Sequence, residues 1–99
     1  MARIIKDIVI EGQKVTALFD TGSTRNYVLR GVVEGASRIK VKPYTVGVGG
    51  RVVVICEECI VRGEIEGLEF TMKAVPLDKI GSVRGCEIGA IIGATVMEE

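Results

Sequence analysis

Short runs rich in Val and Ile, each closed by a glycine-bearing turn, constrain the fold of this chain more than any other feature of its sequence. β-Branched residues suit the pleated, half-buried surface of a sheet, and glycine reaches the positive φ angles that tight hairpins need. Residues 3–10 form the first run, Glu11-Gly12 turns it, and residues 14–19 return. Asp20-Thr21-Gly22-Ser23 follows as a further turn. Residues 39–46 and 51–61 read as arms of a long hairpin interrupted by Gly47-Val48-Gly49-Gly50, and Glu66-Gly67 turns another hairpin into residues 68–75. A loop is expected over 76–85 and a last strand over 88–92. Two segments depart from the pattern: residues 26–34, stopped by Gly35, predict one or two helical turns, and residues 94–99 predict the start of a helix. Residues 11–16 recur loosely at 66–71; either two hairpins share ordinary turn chemistry or the fold carries an approximate internal two-fold.

Ninety-nine residues supply one hydrophobic core, so residues 1–99 are expected to form a single all-β domain without linker or low-complexity tract. Formal charge is zero and there is no basic cluster, which argues against nucleic acid and anionic membranes as partners. The complete absence of His removes Ser-His-Asp triads, Cys-His pairs and His-bearing zinc sites. Acid–base chemistry would have to use carboxylates, Lys, Cys or Tyr. Hydrophobic residues make up 47% of the chain, yet no uncharged run spans a membrane, and charges at Arg3, Lys6 and Asp7 break any signal-peptide pattern. The excess apolar content points to a buried subunit interface. Three cysteines without an export signal fit a reducing, cytoplasmic setting.

The stretch Ala17-Leu18-Phe19-Asp20-Thr21-Gly22-Ser23 carries the chemistry. An apolar strand delivers a carboxylate to its own end, Gly22 allows close backbone approach, and Thr21 and Ser23 offer hydroxyls. By itself the same composition also describes an Asx-type turn. Cys56-Glu57-Glu58-Cys59 is a lone C-x-x-C within a strand; its thiols point to opposite faces, and no second pair completes a zinc site. No metal or cofactor is expected. Glu57, Glu58, Arg62, Glu64, Glu66, Glu69 and Lys73 read as solvated hairpin faces. A phosphate-cradling role for Gly47–Gly50 is disfavoured, because a strand and not a helix follows.

Taken in order, Asp20-Thr21-Gly22-Ser23, the glycine-tipped hairpin around Gly47-Val48-Gly49-Gly50 and the apolar-apolar-Gly segment Ile91-Ile92-Gly93 resemble the retroviral-type aspartic proteases, the retropepsin family. The resemblance spans most of the chain. It implies a closed β-barrel with a glycine-tipped flap hairpin and one short C-terminal helix. It also implies an aspartic endopeptidase acting on extended polypeptide through a water activated by two carboxylates. A single Asp-Thr-Gly cannot supply both, so the partner implied is a second copy, with Asp20 of each subunit meeting at a two-fold axis. Thr21 would bond across that axis and Gly22 would present its carbonyl to substrate. Val46, Gly47, Val48, Gly49 and Gly50 of the flap, with Ser23, Arg25 and Ile91 of the cleft, would bind the peptide.

The sequence departs from the family's pattern in two places. Thr24-Arg25 and Ala94 stand where an internal ion pair is usual, and Arg25 beside the cleft would favour acidic substrate side chains. The sequence stops at Glu99, before the terminal strand that interleaves subunits in viral members; either it is truncated there, or dimerisation relies on other surfaces and a weaker dimer is expected. The alternative function is a non-catalytic dimerisation or peptide-binding module of the same fold; a small unrelated β-barrel is a third.

Overall fold

The computed structural model describes residues 3–97. In chain order the elements are β1 (Arg3–Ile10), β2 (Gln13–Asp20), β3 (Tyr27–Leu29), a 3-10 turn (Arg30–Val32), β4 (Ser37–Val48), β5 (Arg51–Ile65), β6 (Leu68–Leu77), β7 (Ser82–Val83), β8 (Cys86–Glu87), β9 (Ala90–Ile92) and α1 (Ala94–Met97). Seven strands form one sheet in the order β1-β2-β9-β3-β6-β5-β4, while β7 pairs with β8. The sheet curls far enough for β1 to pair with β5 as well as β2, setting Val9 opposite Glu64 and Ile10 opposite Gly63.

Four turns of one kind set the hairpin registers. Glu11-Gly12, Gly49-Gly50, Glu66-Gly67 and Arg84-Gly85 each hold both residues at positive φ, between 49° and 83°. Each is flanked by directly paired residues: Ile10 with Gln13, Val48 with Arg51, Ile65 with Leu68, Val83 with Cys86. This is the type I′ geometry, whose twist matches that of the flanking strands. The recurrence of residues 11–16 at 66–71 goes beyond a shared turn: hairpin β1-β2 is followed in the sheet by β9, parallel to β2, just as hairpin β5-β6 is followed by β3, parallel to β6, an approximate internal two-fold about the antiparallel β3–β9 pair.

Alternation decides which face is buried. Along β5, Ile55, Cys59, Val61 and Gly63 point inward, whereas Cys56, Arg62 and Glu64 are exposed. Odd spacing thus separates Cys56 from Cys59, whose thiol donates to the Ala74 carbonyl at 3.4 Å and is pushed up in pKa chiefly by burial. Gly63 leaves room for its cross-strand neighbour: a Cβ there would lie 2.3 Å from the outer edge of the Phe70 ring, which would have to swing aside. The inward residues make two clusters. The larger includes Ile8, Ile10, Val15, Ala17, Val28, Val61, Met72, Ala90 and Ile92. The smaller joins Val46, Val48 and Ile55 of the β4–β5 hairpin to Val75 and Leu77 of β6.

Several sequence expectations are corrected. Residues 26–34 contain a strand and only one 3-10 turn, because Tyr27 pairs with Val75 on one side and Ile91 on the other. Two ladders outweigh the local helical signal. The long hairpin turns at Gly49-Gly50, with β4 continuing through Gly47 and Val48, and its ladder shifts register between Lys40 and Tyr44. Segment 76–85 is not all loop, since β6 extends to Leu77 and β7 begins at Ser82. The last strand is shorter than expected, and of the helix expected over 94–99, residues 98 and 99 lie outside the described residues. Glu57 and Glu58 are half-buried, Glu57 being shared by Arg30 and Arg38 at 3.6 and 3.5 Å. Among the described residues no helix is long and apolar enough to cross a membrane.

Candidate functional site

The site is built around β9, which lies between β2 and β3. It runs parallel to β2, pairing Leu18 with Ile91 and Phe19 with Ile92, and antiparallel to β3. The chain therefore leaves β2 at Asp20, loops over the end of β9 and returns along its other edge. That loop, residues 21–26, rests directly on Gly93. A Cβ at position 93 would lie 2.6 Å from the Ser23 carbonyl oxygen and 2.7 Å from that of Arg25, so only glycine fits. The Ala94 amide donates to the Ser23 carbonyl at 2.9 Å.

Asn26 locks the other end of the loop. Its side chain is 6% exposed. Its Oδ1 accepts from the Gly93 amide at 2.8 Å, and its Nδ2 donates to the Lys73 carbonyl at 3.0 Å. One buried amide thus satisfies β9 and β6 together, which is the condition for a polar group to sit in a core at low cost. The sequence predicts Asn26 at a helix start, and no local pattern signals its bridging role.

Asp20 emerges from this scaffold with its side chain only 14% exposed. Its Oδ1 accepts from the Gly22 amide at 2.9 Å, and its main-chain carbonyl accepts from the Ser23 amide at 3.0 Å. Locally this is an Asx-type turn. Its surroundings set it apart. The Arg3 guanidinium approaches Oδ2 at 3.7 Å, and the carboxylate faces a cavity of about 590 Å³ walled by Leu18, Val48, Gly49, Ile80 and Ile91. The tip of the β4–β5 hairpin closes one side of it. Val46 and Val48 are each 8% exposed and pack onto β6, so the hairpin lies down over the cleft. Arg51 donates to the Lys79 carbonyl and ties the tip to the segment beyond β6.

Of the residues singled out from sequence, Asp20, Val48, Gly49 and Ile91 meet at this cavity. Thr21 and Gly22 are exposed at its edge, as are Gly47 and Gly50 on the hairpin. The Ser23 hydroxyl donates to the Arg25 carbonyl at 2.6 Å, within the loop. Arg25 does not line the cavity. Its guanidinium lies 4.3 Å from the centroid of the Tyr44 ring, beside a separate pocket that includes Glu58. Tyr44 donates its hydroxyl to Glu58, and burial together with that carboxylate pushes its pKa up to about 12. Arg3, Arg51 and Lys79 also line the Asp20 cavity and were not singled out from sequence.

The sequence matches no family model and no curated protein. The structure is similar to the solution structure of the simian foamy virus (mac) protease, with a TM-score of 0.62 and 11% sequence identity, covering 97% of this chain and 98% of that one. The chain therefore has a retropepsin-like β fold.

Proposed function

We propose that this chain is one half of a homodimeric aspartic endopeptidase. The observation that carries the reading is Asp20: a carboxylate at the end of a buried strand, fixed by the Gly22 amide and turned into a cavity beneath a hairpin tip. The likeness to a viral protease fold supports it. Cleaving an amide with carboxylates needs two of them close enough to share a proton, one taking a proton from water and the other protonating the scissile carbonyl oxygen. Among the described residues Asp20 is the only carboxylate on this cavity. Asp7 and Asp78 are engaged with Lys14 and Arg30. The second carboxylate is then Asp20 of a second copy across a two-fold axis.

In this reading water adds to the carbonyl carbon as one Asp20 takes its proton and the other protonates the carbonyl oxygen; on collapse the first Asp20 gives its proton to the departing nitrogen and the second takes one back from a hydroxyl of the intermediate as the C–N bond breaks. Thr21 bonds across the axis, and Gly22 offers its carbonyl to the peptide. The β4–β5 hairpin acts as a flap, with Val46–Gly50 over an extended substrate that adds as a strand. The sheet, with β1 bonded to both β2 and β5, serves as a closed barrel behind it. The test is hydrolysis of a denatured protein at acidic pH. Cleavage blocked by a pepsin-type inhibitor and abolished by Asp20→Asn supports the enzyme; a folded, dimeric chain without such activity supports the peptide-binding module.

A further inference from the structure

Charge on the wall of the Asp20 cavity is strongly one-sided. Arg3, Arg51 and Lys79 all line it, against the single carboxylate of Asp20. The whole chain carries 13 basic and 13 acidic residues, so the excess of positive charge is local to this wall. The three cations come from separate elements: β1, the start of β5 beyond the hairpin tip, and the segment after β6. Two are held in place by the fold. Arg3 is paired with Asp20, and the Arg51 guanidinium is anchored on the Lys79 carbonyl. Three cations face one carboxylate, so the wall's excess positive charge is not neutralised from within.

We propose that this cavity selects peptides with acidic side chains flanking the scissile bond, with Arg3, Arg51 and Lys79 as the specificity-determining residues. The inference rests on the proposed protease reading and names its substrate class. A concave site lined by one sign of charge concentrates the opposite sign and favours it over neutral and basic side chains. Under two-fold symmetry the same wall faces both sides of the bond, so the preference holds on both. The acidic preference expected of Arg25 is thereby moved to other residues, because Arg25 is stacked on Tyr44 away from this cavity.

Two measurements on the wild-type protein separate this inference from the protease reading. In the first, peptides differing only in Glu, Gln or Lys around a constant apolar cleavage pair are compared for cleavage. In the second, the same peptides with the central amide replaced by an uncleavable hydroxyethylene are compared for binding by fluorescence anisotropy. Glu peptides are expected to be favoured over Lys peptides by about tenfold in both, the ratio falling as salt is raised. Lys79→Glu is expected to reduce that ratio severalfold. Cleavage without acidic preference overturns the inference and leaves the protease intact. Acid-selective binding without cleavage supports the inference and overturns the protease reading. Failure to bind or cleave any of the peptides overturns both.

Discussion

Two residues without catalytic chemistry of their own decide whether Asp20 is presented correctly. Gly93 carries the loop after Asp20 on its bare Cα, and Gly93→Ala forces the backbone at Ser23 and Arg25 to move. Overpacking against main chain costs about 1–3 kcal/mol, and thermal denaturation should show a Tm lowered by roughly 4–8 °C per kcal/mol in a domain of this size. Asn26→Ala strands the Gly93 amide and the Lys73 carbonyl without their partner. The expected loss is about 2–4 kcal/mol, read as a shift in the urea midpoint. Both variants should lose activity along with stability. Asp20 was legible from sequence because three apolar residues lead into it and a glycine turn follows. Asn26 was not, since its partners lie on strands distant in the chain, and no local pattern announces a buried amide that bridges them. Arg3 and Lys79 were missed for the same reason: only the folded sheet brings β1 and the end of β6 to one cavity.

At the level of elements, period and turn chemistry carried most of the information. Glu11-Gly12 and Glu66-Gly67 stand between alternating strands, and both became tight turns with positive φ. The segment after Asn26 misled because three strand residues are too few to show a period; β3 exists through its neighbours, β6 and β9. Midway along the β4–β5 hairpin, beside its register shift, Arg25 packs on the Tyr44 ring and the Tyr44 hydroxyl donates to Glu58 of the facing strand. Tyr44 has its pKa raised to about 12 from 10.0, so its neutral form is favoured by folding. The linked stability is fully present below pH 10 and is lost as pH rises through about 12. Denaturant midpoints across that window should fall for the wild type and fall less for Tyr44→Phe; an unchanged slope in the variant contradicts the role given to this contact. Gly63→Ala should cost about 1–3 kcal/mol by displacing the Phe70 ring, a loss that a second change, Phe70→Leu, partly relieves.

The whole molecule, in this account, is half an enzyme. Thr21 and Gly22 are exposed in the single chain, and Ile4, next to Arg3, is 60% exposed, which suits a surface that meets a second copy. Specific activity should therefore rise with protein concentration and plateau where sedimentation shows the dimer complete. Subunit mixing tests the central claim most directly. Wild-type chains are refolded together with Asp20→Asn chains in varying proportion, and activity is measured at fixed total concentration. If each active site needs one Asp20 from each of two chains, activity follows the square of the wild-type fraction, reaching about a quarter at equal mixing. Activity that falls only in proportion to the wild-type fraction would mean that a single chain cleaves by itself, and the pairing of Asp20 across a two-fold axis would be wrong.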